Sequence, residues 1–240
     1  MVMLEPHGGG PVAVLVSSLD AAVYASDTME TRAADVEWVG PRAVVHDAVL
    51  SWASESGGVV PFPMFTLFAS RDSLRAMMHE RERSLDRLLE RVAPSQEWTV
   101  RLFRVDDRAV AALNRTSPAL ADIARRAQGA PPGQRYLLER KADELKGAEL
   151  RRVSGETARE AFDVLSALGE RSVRDALPAT PSGARPAGVA VLDASFLVRR
   201  DRIDAFRTAA ADLARTIEPR GFRVELSGPW PPYHFVRDDA

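Results

Sequence analysis

The stretch Gly228-Pro229-Trp230-Pro231-Pro232-Tyr233-His234-Phe235-Val236 constrains the fold of this chain more than any other. It follows Phe222-Arg223-Val224-Glu225-Leu226-Ser227, whose alternation of apolar and polar residues predicts a strand. Proline fixes φ and has no N–H for a sheet ladder, so the chain is expected to leave the sheet here. A stiff, polyproline-like continuation should follow, with its aromatic side chains buried against something. Two destinations are open for Trp230, Tyr233 and Phe235: this chain's own C-terminal domain, or a partner. The first is favoured, because exposed aromatics are a liability in a soluble protein. On that reading Trp230 anchors the tail.

Upstream, hydrophobic periodicity and turn residues divide the chain into an α+β order. Residues 1–10 read as a loose leader and Val12–Val16 as a buried strand. Asp35–Ser54 reads as a helix with Val36, Val39, Val44, Val45, Ala48, Val49 and Trp52 as apolar positions; Pro41 either interrupts it or starts a new helix. Val59–Phe68 is strand-like, with Pro61 and Pro63 suited to a strand's start or edge. A capped helix from Ser70 or Asp72 to Val92 follows, then a strand over Glu97–Val105 with Trp98, Val100 and Leu102 on one face. Helical pattern then runs to Gln128 with a break near Pro118, and resumes from Gln134 to Leu168 with a bend at Ser154-Gly155. Ser172–Leu177 is a candidate strand, Pro178–Gly188 a mobile loop, Val189–Val198 a strand, and Asp201 the cap of a final amphipathic helix.

From Glu97 onward the order is strand, helices, strand, strand, helix, strand, which is the ferredoxin-like order with an enlarged first crossover. The expectation is two domains: residues 1–95 as a smaller α+β unit, and residues 96–240 as a ferredoxin-like domain carrying the Pro/aromatic tail.

The 240 residues contain no cysteine, which excludes disulfides, thiolate catalysis and thiolate metal sites. The net charge of −2 gives no reason to expect nucleic acid or an anionic lipid membrane as partner. No apolar run approaches the roughly 20 residues of a bilayer span. No signal peptide is recognisable at the start, and a soluble, cytoplasmic protein is expected.

Candidate chemistry is sparse. His79-Glu80-Arg81-Glu82-Arg83 has Arg83 where a zinc-binding H-E-x-x-H helix needs its second histidine, so a solvated charged face is the better reading. His46 beside Asp47 suggests a proton shuttle, but no nucleophile motif accompanies it, and a hydrogen-bonded structural histidine is favoured. Neither G-x-x-x-x-G-K-[ST] nor G-x-G-x-x-G occurs. The acid pairs Asp106-Asp107 and Asp238-Asp239 are adjacent in sequence and point apart. Catalytic, cofactor-binding and metal-ligating residues are therefore all expected to be absent.

Several blocks, in order, resemble the gas vesicle protein GvpF/GvpL family. They are Val45-His46-Asp47-Ala48-Val49-Leu50 followed by Val59-Val60-Pro61-Phe62; Glu97-Trp98-Thr99-Val100; Gly133-Gln134-Arg135-Tyr136-Leu137; Ser195-Phe196-Leu197-Val198; and Gly221 to Val236. Phe65-Thr66 stands where the family usually has Phe-Gly-Thr, so that glycine is missing. The resemblance implies an accessory protein or minor structural component of gas vesicles, located in the cytoplasm and at the vesicle. Its implied partners are the small hydrophobic shell protein and other gas vesicle accessory proteins; the shell protein is expected to contact residues 1–95, where the apolar Val59–Phe68 segment is a candidate sheet edge for another chain. It implies no catalytic residues; His46, Pro61, Trp98, Tyr136, Gly228, Pro229, Trp230, Pro231, Pro232, Tyr233 and Phe235 are family-motif positions with structural or partner-binding roles. The alternative is a ferredoxin-like small-molecule enzyme or sensor, which would need a pocket of convergent polar groups.

With four scattered histidines and no phosphate loop, elemental analysis and native mass spectrometry of the purified protein should find neither a stoichiometric metal nor a bound nucleotide. A stoichiometric metal or nucleotide would overturn the non-enzymatic reading.

Overall fold

In a computed structural model, the described residues are 2–6, 12–24, 26–177 and 188–236. They form a mixed α+β architecture in two units: Met1–Gln96 with Trp230–Ala240, and Glu97–Pro229.

The first unit opens on a β-hairpin. Strand β1 (Val2–Pro6) pairs antiparallel with β2 (Ala13–Ser17), with Val2 opposite Ser17 and Leu4 opposite Leu15. The leader expected over residues 1–10 is thus corrected: residues 2–6 find a partner in the apolar run that follows them. Helix α1 (Ser26–Ala33), which periodicity did not predict, comes next. Helix α2 (Val36–Ser56) is capped by Asp35, whose Oδ1 accepts from Glu37 N (3.0 Å) and Trp38 N (3.4 Å). Pro41 neither interrupts nor starts this helix; α2 runs through it. At this point Pro41 removes only the hydrogen bond to the Glu37 carbonyl, in the helix's first turns. One side of α2 is held by an aromatic knot. Trp38 lies 5.6 Å from the Tyr24 ring and 5.3 Å from the Phe65 ring. The Arg42 guanidinium covers Trp38 at 3.9 Å and donates through Nε to Tyr24 Oη.

Residues 59–68 are not a strand. Pro61 and Pro63 have no amide to donate, and the Pro63 carbonyl accepts from both Thr66 N (3.1 Å) and Thr66 Oγ1 (2.7 Å), which folds the segment into a turn. Phe65 has φ +66°, a conformation unusual for a bulky side chain, at the place where the missing glycine was noted. Helix α3 (Arg71–Val92) has a reciprocal Ser70/Ser73 capping box. Its buried Leu74, Met78 and Leu85 form a small core with Val14, Val16, Val60 and Phe62.

The second unit is built on a sheet of order β4-β5-β3-β6, using β3 (Ser95–Arg104), β4 (Arg171–Arg174), β5 (Val189–Arg199) and β6 (Phe222–Trp230). Strands β4 and β5 are antiparallel, with Arg171 opposite Leu197. Between β3 and β4 come α4 (Asp106–Thr116), α5 (Pro118–Gln128) and the 35-residue α6 (Pro132–Ser166). Ser117 caps α5 and Pro118 occupies its first turn, which explains the break predicted there. Helix α6 is continuous through Ser154-Gly155. After β5, a 3-10 turn over Arg200–Arg202 leads into α7 (Ile203–Ile217), so Asp201 is not its cap.

Alternate residues of the strands face the helices, as the period of two requires. Val100, Leu102, Ala194, Phe196 and Val198 are fully buried there against Leu165, Phe206 and Ile217. Phe196 stacks at tilted geometry with Phe162 (5.8 Å) and Phe206 (5.4 Å). The loop expected over Pro178–Gly188 falls, except for Gly188, outside the described residues.

Strand β6 continues through Pro229 to Trp230, beyond the exit expected before the prolines. It lies at the edge of the sheet, where a strand can include a residue without an amide. The expected polyproline-like extension is also corrected. After Pro231-Pro232 the chain turns: Tyr233 N donates to the Pro231 carbonyl (2.7 Å) and Phe235 N to the Pro232 carbonyl (3.2 Å).

Gly221 enters β6 with φ +87°, and a Cβ there would lie 2.3 Å from Ala109 N. Gly221→Ala is therefore expected to destabilise the protein by more than the roughly 1–3 kcal/mol of backbone strain alone. Urea denaturation checks this; an unchanged midpoint would contradict the packing described.

Candidate partner-binding surface

The family-like blocks do not converge on one constellation. Trp98 is buried in the sheet core of the second unit. Gly228, with φ +131° and a cis bond to Pro229, lies against it; a Cβ on Gly228 would stand 3.0 Å from the Glu97 carbonyl and 3.2 Å from the Trp98 ring. Here the glycine lets the backbone pass close to the indole. Pro229 is exposed, and Tyr136 stands largely exposed on the first turns of α6 beside exposed Leu137.

The remaining motif positions belong to the first unit. Pro61, Pro231, Pro232 and Phe235 are buried there; His46 and Tyr233 are half-buried. Trp230, expected to anchor the tail, is 38% exposed. Its neighbours also hold the tail. Tyr233 Oη donates to Asp47 Oδ1 on α2 at 3.0 Å. Arg91 Nη2 on α3 donates to the Phe235 carbonyl at 3.2 Å. Phe235 and Val236 are buried. The sequence marked Asp47 only as a neighbour of His46 and gave no signal for Arg91. Asp47 engages the tail, which leaves the proton-shuttle idea without support.

The side of α2 away from Leu50 is the unexpected feature. Val44 (70% exposed), Val45 (63%), Trp52 (58%), Pro41 and Ala48 are all open to solvent. At 100° per residue these five share one stripe about 100° wide. Glu37 and Glu55 bound it, both exposed. The apolar pattern did not mark which face is covered; Leu50, on the opposite face, is buried. A contiguous exposed apolar stripe on a folded unit marks a contact surface.

The electrostatics elsewhere describe surface ion pairs. A hydrogen bond from Arg199 holds the Asp201 carboxyl below the usual carboxylate range, and Glu149 and Glu156 raise the Arg152 guanidinium. Among the described residues no three metal-ligating side chains come together, and no helix is long and apolar enough to cross a membrane.

The chain matches the family model described as gas vesicle synthesis protein GvpL/GvpF over residues 4–237. The chain belongs to this family. It is similar to gas vesicle protein L of Streptomyces sp. (strain CB03234), at 26% identity over 95% of this chain and 80% of that one. It is likewise similar to gas vesicle protein F of the same strain, at 27% identity over 94% and 88%. The fold resembles the crystal structure of the gas vesicle protein GvpF from Anabaena sp. PCC7120, with a TM-score of 0.70 and 16% identity over 98% of this chain and 88% of that chain. The GvpF structure from Microcystis aeruginosa gives 0.64 and 15% over the same shares. Family membership gives the chain a gas vesicle assembly or accessory role.

The tail geometry puts the deepest aromatic burial at Phe235 and not at Trp230. Phe235→Ala should cost about 3–5 kcal/mol, Tyr233→Phe about 0.5–3 kcal/mol for the lost bond to a carboxylate, and Trp230→Ala about 1 kcal/mol or less. Thermal denaturation of the three variants checks the order; Trp230→Ala as the most damaging would contradict it.

Proposed function

We propose that this protein takes part in gas vesicle assembly, as an accessory factor or minor structural component, by binding the small hydrophobic shell protein through its first unit. The exposed apolar stripe of α2 is the observation that carries this reading. A small apolar subunit that polymerises through its surface aggregates while free. A soluble partner that covers its apolar face suppresses this or sets where polymerisation begins. The stripe offers such a cover, and family membership supplies the context. Other gas vesicle accessory proteins are further partners on this reading. The sites of action are the cytoplasm and the growing vesicle.

We also infer a two-domain organisation divided near residue 96, the second domain being ferredoxin-like with an enlarged helical crossover. The strand order β4-β5-β3-β6, with three helices in the first crossover and α7 in the second, supports it. The motif residues then divide by role. Trp98, Gly228, Pro61, Pro231, Pro232, Tyr233 and Phe235 maintain the fold. His46 supports α2 from its half-buried side. Tyr136, Pro229 and Trp230 are exposed at the surface.

A pull-down tests the reading. Residues from Trp230 onward group with the first unit, so a fragment ending at residue 95 lacks part of it, and the whole chain is the right bait. The full-length protein should retain the shell protein from a clarified extract or as a co-expressed pair. Absence of capture by a folded, full-length bait would refute direct binding.

A further inference from the structure

We propose that the α2 stripe is a docking seam for one amphipathic helix of a partner protein, and that this helix carries basic residues at both ends of its apolar face. The inference deepens the proposed function and rests on it for the identity of the partner.

Spacing argues for a helix as occupant. Pro41, Val45, Ala48 and Trp52 follow one another at steps of four, three and four residues, the repeat by which one helix receives the knobs of another. Val44 widens the seam on one side. Ala48 lets a second backbone approach, and Trp52 offers a large apolar surface at one end. The other sides of α2 are already engaged: Arg42 in the aromatic knot, Asp47 with Tyr233, and Leu50 buried opposite the stripe, while Trp38 packs in the same knot at the stripe's flank, before Pro41. These contacts hold the helix that presents the exposed stripe, and little ordering entropy is lost on docking.

Charge argues for what kind of helix. Glu37 precedes the seam by one turn and Glu55 follows it by one turn, so carboxylates stand at both ends, eighteen residues apart, or about 27 Å at 1.5 Å per residue. A second copy of this chain is a poor occupant. Antiparallel pairing about the middle of the seam sets Glu37 against the copy's Glu55. Parallel pairing sets each carboxylate against its own equivalent. Like charges meet either way. An anionic lipid surface is disfavoured for the same reason, since helices lying on such surfaces border their apolar face with lysine and arginine. A helix with basic residues at both ends satisfies the apolar seam and its acidic ends together.

The test uses the full-length chain and two synthetic 21-residue helical peptides. Both carry leucine at the seam-facing positions; one ends in lysines and the other in glutamates. Fluorescence anisotropy at low salt should show the lysine-ended peptide binding about fivefold or more tightly, with the preference shrinking as salt screens the end charges. Val45→Glu with Ala48→Glu should weaken binding tenfold or more. Glu37→Lys with Glu55→Lys should reverse the preference. Tyr136→Glu with Leu137→Glu, on the second unit, should change nothing. Each variant should keep the parent melting temperature, since all these positions are exposed. Equal binding by the seam variant, an unreversed preference in the charge-swapped variant, or a dimer in sedimentation that the seam variant abolishes would each overturn the proposal. Shell-protein capture separates the two readings. If the seam variant still captures the shell protein, the seam assignment falls and the proposed function stands. If the parent chain captures none yet prefers the lysine-ended peptide, the seam stands and the shell protein is not its partner.

Discussion

The hydrogen bond between Tyr233 and Asp47 joins residues 186 positions apart and, with the burial of Phe235 and Val236, brings the tail into the first unit, on which the rest of this side of the structure depends. That unit has a two-stranded sheet, a small core under α3 and an irregular segment over residues 59–68. Two strands alone are marginal in water and need something packed against them. The tail contributes Pro231, Pro232, Phe235 and Val236, all buried, and Arg91 fixes its backbone at Phe235. Both termini of the chain therefore serve the same unit, and the second unit is inserted between them in sequence.

Local signals in the sequence served well where local physics decides. Pro118 after Ser117 ended one helix and began another, and the alternation over Val189–Val198 matches β5. The strand at Phe222 and the special nature of the tail after it were also legible. The tail's destination was not, because neither Asp47 nor Arg91 carries any local mark of a partner so distant in sequence. Residues 2–6 looked like a leader because a hairpin strand next to glycines has little pattern of its own; its pairing with β2 is what defines it. Residues 59–68 misled in the opposite direction. Their apolar content suggested a strand, but Pro61 and Pro63 cannot join a ladder and the Pro63 carbonyl closes a turn instead.

Helix α2 shows why burial was the harder quantity to read. Apolar residues surround it, so periodicity does not select the face that is covered. Asp35, Trp38, Arg42, Asp47 and Leu50 decide the matter through contacts in three dimensions, and Val44, Val45 and Trp52 are left outside. A surface of this kind has a cost, since it invites non-specific association until it is occupied. The carboxylates at its two ends limit the choice of occupant.

The discontinuous first unit also sets an order of events during synthesis. Chains fold as they emerge, ordinarily from the N-terminus onward. Here the residues that complete the N-terminal unit are translated after the whole of the second unit. The insert, Glu97–Pro229, has all its strands and helices before that moment. Residue order and folding order thus run opposite ways. A nascent chain carries α2 before its Tyr233 tether exists, and α2 gains its final setting only once Tyr233 has emerged.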